Sequence, residues 1–347
     1  MTAVPPLPTT ARAAVLHAAE DLRIEELPLR PLGADDVLIA VDAVGVCGSD
    51  MHYFASGRNG GNVLRQPTAL GHEASGTVVA TGPSATVTPG TRVAVEPAVG
   101  CGTCAICRSG RYNLCPTGTC FGSPPVHGTL ATHLVAPSRA VHPLPDAVPL
   151  ELGALIEPLA VAVWAVRRAE VAFGDRVLIT GAGPIGILCC QVARAAGAVE
   201  VVVTDINDAR LARARELGAT RTANTARDVL ELAGFDRLLE CSAHPAALWQ
   251  ALHALRPGGR ATVVGQAAPT VDGLPLAHLQ RHEIDLVCAF RYAHAFPTAL
   301  ALAADGSVDL ASVLTGRFPL EHATEALRAP TADPTHLKVV VRPGDTS

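Results

Sequence analysis

The sequence predicts an α/β protein in which a β-rich domain precedes a doubly wound parallel sheet. Short apolar runs separated by glycine and proline fill the first 155 residues, whereas strands and helices alternate from residue 174 onwards. At 347 residues the chain also exceeds the usual size of one hydrophobic core, which favours two domains. We place the first domain at residues 1–160, completed by 293–347, and the second at 161–292.

Three apolar runs in the first domain, at 36–41, 76–80 and 91–95, have the length and composition of strands in a barrel-like sheet. After residue 293 come a helical stretch, a turn at Gly306 and a last strand at 337–341. Because a helix followed by an isolated strand does not extend a parallel sheet, we expect this tail to return to the first domain.

The second domain begins with strands and helices in alternation, at 176–180, 185–196, 200–204 and 208–217. The alternation continues with a strand at 235–240, a helix at 246–255, and strands at 259–264 and 284–287. This order predicts parallel strands with helices on both faces of the sheet.

A glycine-rich turn joins the first strand and helix of this domain, and its residues Gly181, Gly183, Pro184 and Gly186 are predicted to bind a dinucleotide. The glycines permit a tight turn and close approach of a pyrophosphate to the helix N-terminus. Asp205 ends the second strand, where its carboxylate can accept both ribose hydroxyls of adenosine and repel a 2′-phosphate. The sequence therefore predicts NAD as the cofactor. Arg210 could stack on adenine or attract a phosphate, and the nearby acidic residues favour stacking.

Four cysteines, Cys101, Cys104, Cys107 and Cys115, have a spacing that lets one loop wrap four thiolates around zinc. Four thiolates saturate a tetrahedral ion and leave no position for a substrate. We therefore predict a structural zinc there.

A second metal site is predicted upstream, where a thiolate, an imidazole and carboxylates come from separated segments. Cys47 and His72 would bind a catalytic zinc with an open position, which makes two zinc ions per chain. Glu73 and Glu157 both offer a carboxylate for the remaining protein position. Because two direct carboxylates would weaken the acidifying power of the ion, we expect one to bind it and the other to hold water or substrate.

Residues next to Cys47 suggest how protons move. Asp50 could accept a hydrogen bond from the ring of His72 and fix its tautomer. Ser49 would take the proton of a substrate hydroxyl and pass it, through the cofactor ribose or water, to His52 at the surface while hydride leaves for the nicotinamide.

The composition excludes some partners. The net charge is −5, and no basic block with interleaved aromatics indicates a nucleic-acid surface. No apolar run reaches the ~18 residues of a membrane span, and no secretion signal is evident, so we expect a cytoplasmic protein. Almost all basic residues are arginine, with Lys338 the single lysine, and we interpret this as a compositional habit without bearing on activity.

Five segments together resemble the zinc-dependent medium-chain dehydrogenases, in particular the polyol branch with the sorbitol and L-idonate dehydrogenases: 45–53, 70–76, 153–158, 181–186 and 290–292. The resemblance implies a GroES-like catalytic domain and a Rossmann domain, assembled as a homotetramer or homodimer. It assigns the catalytic zinc to Cys47, His72 and Glu73, with Glu157 close by.

The resemblance also implies hydride transfer between NAD and a secondary hydroxyl of a polyol or sugar acid, giving the ketose or keto acid. Glu157, where many alcohol dehydrogenases carry cysteine, indicates a vicinal diol. The implied substrate contacts are Tyr53, Glu157, Arg291 and Tyr292. The implied nicotinamide or ribose contacts are Ile185, Val264, Gly265, Gln266, Ala289, Phe290 and Arg291. Because an arginine can hold a carboxylate, L-idonate and neutral polyols remain competing substrates.

Two alternatives remain open. An L-threonine or 2,3-butanediol dehydrogenase would share the zinc site, although Tyr53 and the 290–292 segment favour the polyol branch. A non-catalytic nucleotide-binding relative would share the fold, although intact Cys47, His72 and Glu73 argue against it.

Overall fold

The computed structural model describes residues 6–228, 232–266 and 272–345. The chain folds into two compact units. The first contains Met1–Glu157, Leu314–Ala332 and Lys338–Ser347, and the second contains Pro158–Val313 and Asp333–Leu337.

The N-terminal part of the first unit is built mainly of strands. They are β1 (Thr10–Ala18), β2 (Asp21–Pro28), β3 (Asp36–Gly45), β4 (Arg58–Asn59), β5 (Asn62–Val63), β6 (Thr68–Ala69), β7 (Glu73–Thr81), β8 (Arg92–Val95), β9 (Ala98–Val99), β10 (Thr119–Cys120), β11 (His133–Pro137) and β12 (Val141–Pro143). The α-helices are α1 (Gly48–Ser56) and α2 (Ala105–Arg108), and 3-10 helices lie at Tyr112–Leu114, Ser138–Ala140 and Leu150–Leu155.

The second unit alternates helices and strands. They are α3 (Ile156–Ala169), whose first two residues belong to the first unit, β13 (Arg176–Thr180), α4 (Pro184–Ala195), β14 (Glu200–Asp205), α5 (Asp208–Glu216), β15 (Arg221–Asn224), β16 (Phe235–Glu240), α6 (Pro245–Leu252), β17 (Leu255–Val263), α7 (Leu276–His282), β18 (Asp285–Cys288) and α8 (Phe296–Ala304). The chain then returns to the first unit with β19 (Leu314–Pro319), a 3-10 helix (Leu320–His322), α9 (Ala323–Ala332) and β20 (Lys338–Arg342).

The main sheet of the first unit has the strand order β12-β8-β7-β3-β20-β19, and β11 also pairs with β3. β3 lies against β7 and β20 in antiparallel register. Because β20 comes from the far end of the chain, this sheet joins residues that are far apart in sequence. We expected the tail to return to the first domain, and β19, α9 and β20 lie in the first unit.

The second unit contains one parallel sheet of order β15-β14-β13-β16-β17-β18. Its first strand in sequence, β13, is flanked by β14 and β16, so the chain winds outward in both directions from the centre. The apolar residues of β13 are fully buried, as expected for a strand covered on both faces. The predicted α/β fold class is confirmed.

The observed units and the predicted domain bounds assign three stretches differently, at 158–160, 293–313 and 333–337. Residues 293–313, which we expected with the first domain, pack with the second unit. Two hydrogen bonds hold the end of this stretch to Gln191 on α4. The backbone N–H of Asp309 donates to Oε1 of Gln191 at 2.7 Å, and Nε2 of Gln191 donates to the carbonyl oxygen of Asp309 at 3.4 Å. Arg167 adds a bond to the carbonyl oxygen of His294 at 2.9 Å.

Among the helices that the structure describes, none combines the length and apolarity that a bilayer crossing requires.

Candidate active site

The register of the main sheet in the first unit brings three chain segments together. Gly45 at the end of β3 pairs with Glu73 at the start of β7 on one side and with Val340 of β20 on the other. Cys47 follows β3 by two residues, and His72 immediately precedes β7. A side chain at Gly45 would collide with the Glu73 carboxylate, so this position must be glycine for Glu73 to point inward.

The ligand atoms of Cys47, His72 and Glu73 all lie within 4.8 Å of one another. Glu73 is 1% exposed, and its Oε2 atom has no hydrogen-bond partner among the described residues. A buried carboxylate oxygen without a partner carries a large desolvation cost, which a bound cation would remove. The sulfur, nitrogen and oxygen donors also match the ligand types of catalytic zinc, so these residues fit the predicted ion.

Asp50 holds the two ligand segments in place from the first turn of α1. Its carboxylate accepts the backbone N–H groups of Cys47 and Gly71, each at 3.1 Å, and lies 3.5 Å from Nδ1 of His72. Burial alone would lower the pKa of His72, but the charges of Asp50 and Cys47 raise it well above the ordinary value. A metal ion must therefore displace a proton from this ring.

Lys338 is a site residue that our sequence interpretation missed. It is the first residue of β20, is 4% exposed, and donates from Nζ to Glu73 Oε1 at 2.7 Å and to the carbonyl of Val46 at 2.9 Å. Burial alone would lower its pKa, but the negative charges of Glu73 and Cys47 raise it overall. The sequence interpretation treated the single lysine as compositional habit, whereas the structure places it against a candidate zinc ligand. Its rarity in an arginine-rich chain was the available signal.

The structure groups Glu73, and not Glu157, with Cys47 and His72. Glu157 is buried in the first turn of α3, close enough for its charge to raise the pKa of Lys338. It therefore remains near the group, as the resemblance implies.

The predicted proton path and one predicted substrate contact lie on α1. Ser49 is half-buried and His52 is exposed, and residues three apart on a helix are neighbours on its surface. Tyr53 is buried in the core of the first unit, where its hydroxyl accepts a hydrogen bond from Nδ2 of Asn62 at 2.8 Å. The substrate contact of Tyr53 stays a prediction.

The four predicted structural-zinc ligands, Cys101, Cys104, Cys107 and Cys115, form a second group of this kind in the first unit. Sulfur–sulfur distances of 3.9 Å (Cys101 to Cys107) and 4.0 Å (Cys104 to Cys115) are close to the ~3.8 Å edge of a tetrahedron with zinc–sulfur bonds of ~2.3 Å. The backbone N–H of Cys104 lowers the pKa of Cys101 to about 5, whereas burial raises the pKa of Cys107 to about 12. Full deprotonation of the group therefore needs a cation.

In the second unit, the glycine-rich turn has the geometry of a dinucleotide cradle. Gly181 has a φ of +89°, and a Cβ there would lie 2.9 Å from the Cα of Ser242. A Cβ at Gly186 would collide with the carbonyl oxygen of Gly181. A Cβ at Gly183, in contrast, would meet no described atom within 4 Å, and no described side chain caps the N-terminus of α4. The described residues thus give no packing reason for glycine at 183, which fits a pyrophosphate seated over this helix end.

Asp205 lies at the end of β14 and is held by three backbone N–H groups. Oδ2 accepts from Ala182 at 2.6 Å, and Oδ1 accepts from Ile206 at 2.7 Å and Asn207 at 2.9 Å. The carboxylate therefore has a fixed position beside the turn. The side chain of Arg210 donates to the carbonyl of Pro334 at 3.3 Å, so its predicted adenine contact stays a prediction.

Most of the remaining predicted cofactor contacts follow β17 or β18. The N–H groups of Val264 and Gly265 donate to the carbonyl of Glu240, and that of Ala289 donates to Val263, all at 2.9 Å. Ile185 instead lies in the first turn of α4. Gln266 and Phe290 have exposed side chains.

Arg291 and Tyr292 follow Phe290. The guanidinium of Arg291 lies 5.0 Å from the centre of the Phe290 ring. Tyr292 is fully buried and packs against Phe296 with ring centres 5.5 Å apart. Packing of this kind gives Tyr292 a core role, and its substrate contact stays a prediction.

A thiolate–imidazole–carboxylate group in one unit and a dinucleotide cradle on the parallel sheet of the other define a zinc-dependent oxidoreductase. The family profile for the alcohol dehydrogenase GroES-like domain matches residues 33–146, and that for zinc-binding dehydrogenases matches 184–305. Sorbitol dehydrogenase of Rattus norvegicus is 40% identical over 323 residues, which cover 90% of each chain. The chain belongs to the zinc-binding dehydrogenase family.

Solved structures show the same similarity over nearly the whole chain. L-Idonate 5-dehydrogenase from Escherichia coli superposes with a TM-score of 0.91 at 29% identity, covering 96% of this chain and 98% of that one. A protein of Sinorhizobium meliloti assigned as a zinc-binding dehydrogenase and bound to NADP gives a TM-score of 0.90 at 27% identity, with coverage of 97% and 100%. The predicted family, fold and enzyme class are confirmed.

Proposed function

We propose that this protein oxidises a secondary hydroxyl of a polyol or sugar acid to the ketone, reversibly, with NAD as hydride acceptor. The observation that carries the proposal is the group of Cys47, His72 and Glu73, in which one buried carboxylate oxygen has no partner among the described residues. Similarity to a sorbitol dehydrogenase and to an L-idonate dehydrogenase supports the substrate class.

In this proposal zinc held by Cys47, His72 and Glu73 supplies the Lewis acidity that makes a substrate hydroxyl a better proton donor. Ser49, half-buried two residues after Cys47, accepts that proton and passes it towards exposed His52. Glu157 holds a neighbouring hydroxyl and so selects a vicinal diol.

The four-cysteine loop takes no part in this chemistry. We propose that Cys101, Cys104, Cys107 and Cys115 bind the second zinc and that their role is to fix the loop.

A substrate panel tests the proposal. Sorbitol, xylitol, galactitol, L-idonate, L-threonine and 2,3-butanediol are assayed with NAD and with NADP at equal concentrations. We expect the highest kcat/KM with NAD for a polyol or for L-idonate. A preference for L-idonate would show that the site accepts a carboxylate, the role that the resemblance leaves open for Arg291. Turnover of L-threonine or 2,3-butanediol alone would instead place the chain in a different branch of the family.

We predict that Asp205→Ala lowers the ratio of kcat/KM for NAD to that for NADP by about tenfold or more, the effect of losing a charged hydrogen bond. The structure of the S. meliloti relative contains NADP, so a chain of similar fold admits the phosphorylated cofactor. Asp205→Asn is the conservative comparison, because its one amide oxygen can still accept from Ile206 and Asn207 while the charge that repels a 2′-phosphate and the acceptor of the Ala182 N–H are lost. An unchanged ratio in both variants would refute the ribose role of Asp205.

We further propose that copies of the chain assemble as a cytoplasmic homotetramer. β18 is an edge of the parallel sheet, and Leu286 on it is 38% exposed, with Phe290 close by in sequence at 54%. An open edge with apolar side chains favours pairing with a second copy. Light scattering on the purified protein tests the assembly. A dimeric mass would support the alternative homodimer in place of the tetramer, and a monomeric mass would refute both. The ten free cysteines support a reducing compartment, which cell fractionation tests.

A further inference from the structure

Lys338 is the only lysine of the chain, and the structure buries it beside the candidate zinc group. Its ammonium donates to Glu73 Oε1 at 2.7 Å and to the carbonyl of Val46 at 2.9 Å. Val46 immediately precedes Cys47, so one cation contacts both a candidate ligand and the backbone next to another. An ammonium is a compact point charge, which suits a closed space better than the wide guanidinium of arginine.

The ion pair determines which oxygen of Glu73 is available. Lys338 occupies Oε1, and Oε2 is left buried and without a partner among the described residues. On the other side, the missing side chain of Gly45 leaves room for Oε2, which a Cβ at that position would strike. The carboxylate is therefore held at one oxygen and given space at the other.

We propose that Lys338 is a positioning residue of the catalytic metal site, which fixes Glu73 so that Oε2 stays directed at the ion and so keeps the ion bound. The inference rests on the proposed function, because it assumes that Cys47, His72 and Glu73 hold the catalytic zinc. It gives β20, which supplies none of the three predicted ligands, a part in forming the metal site.

The charge of Lys338 gives the pair a second effect. A thiolate and a carboxylate together cancel the two charges of a zinc ion, which would reduce its Lewis acidity. The ammonium on Oε1 offsets part of the carboxylate charge without occupying a ligand position. Glu73 can then bind the ion while the site keeps positive character for a substrate oxygen.

The test replaces Lys338 in the full chain and follows the metal itself. Wild-type protein, Lys338→Met and Lys338→Arg are loaded with Co²⁺, and we record the visible absorption bands and the rate of metal transfer to a chelator. We expect at least tenfold faster loss of one Co²⁺ and shifted ligand-field bands in Lys338→Met, with both partly restored in Lys338→Arg. The four-thiolate site, with its own intense bands, is the internal control and should be unchanged.

A double-mutant cycle separates positioning from general stability. Removing one partner of a buried ion pair leaves an uncompensated charge, so Lys338→Met alone is expected to fold less well than Lys338→Met with Glu73→Gln. If Lys338 acts through Glu73, adding Lys338→Met to Glu73→Gln changes neither the bands nor the release rate further. Equal effects of Lys338→Met in both backgrounds, or wild-type bands and release in the single variant, overturn the inference.

Metal analysis of the wild-type protein distinguishes this failure from failure of the proposed function. Two zinc ions per chain with release that is insensitive to Lys338 would refute only the positioning role. One zinc per chain, bound by the four cysteines, would refute the proposed function and this inference together.

Discussion

Cys47→Ser is expected to lower kcat/KM by about a thousandfold or more while the fold survives. Loss of the thiolate removes the anionic sulfur ligand of the catalytic zinc, and metal Lewis acidity contributes several kcal/mol to such reactions, with each ~1.4 kcal/mol equal to a factor of ten. The helix should tolerate the change, because Cys47 is the N-cap of α1 and serine is among the preferred residues at that position. Zinc content should fall from two ions per chain to one.

Zinc analysis, circular dichroism and thermal unfolding measured on the same sample check this result. Cys288→Ser, at an exposed cysteine of β18, is the matched control and should keep both zinc ions and full activity. Retention of activity by Cys47→Ser after exhaustive chelation would contradict a metal-dependent reaction. A collapse of the fold in this variant would contradict the assignment of Cys47 to catalysis and not to structure.

Features with a local cause are predictable from this sequence. The apolar run 176–180 has glycine near both ends, at Gly174 and Gly181, and β13 spans Arg176–Thr180 as predicted. The four cysteines of the loop are equally predictable, because their spacing is confined to the short stretch between Cys101 and Cys115. In both cases the signal and the structure occupy the same few residues.

The pairing of Glu73 with Lys338 has no such local signal. The two residues are 265 positions apart, and they meet because β20 inserts next to β3 in the main sheet. β19 was not predicted either, since Leu314–Pro319 contains a glycine and ends in proline, both of which are unfavourable in strands. Its parallel pairing with β20 at the end of the sheet outweighs that composition.

The residue patterns also did not predict which aromatic side chains are buried. Tyr53 and Tyr292 were assigned to the substrate by resemblance, yet both are buried, and Tyr292 is among the largest fully buried side chains. An aromatic residue beside a polar motif fits a binding surface and a core equally well. Only the packing of neighbouring elements decides between the two.

Cys104→Ser is expected to have the opposite profile to Cys47→Ser: a less stable protein with activity retained below its unfolding temperature. No residue of α2 is buried, so the loop around it has little core of its own and depends on the metal. We expect a loss of about 2–3 kcal/mol in the free energy of unfolding, and a Tm lower by about 5–10 °C for a domain of this size. Zinc content should again fall to one ion per chain.

The loop transmits this loss to the β-rich unit through a buried carboxylate. Tyr112 donates its hydroxyl to Glu96 Oε1 at 2.6 Å, and His142 contacts Glu96 Oε2 at 2.8 Å, so the loop is fastened to strand β12 through Glu96. Differential scanning calorimetry and an activity assay below the unfolding temperature measure both properties. Cys288→Ser again serves as the exposed-cysteine control. If Cys104→Ser and Cys47→Ser lose stability alike and activity alike, the division between a structural and a catalytic zinc is wrong. The expected contrast follows from ligand chemistry, because four thiolates close the coordination sphere of one ion while three mixed ligands leave the other open.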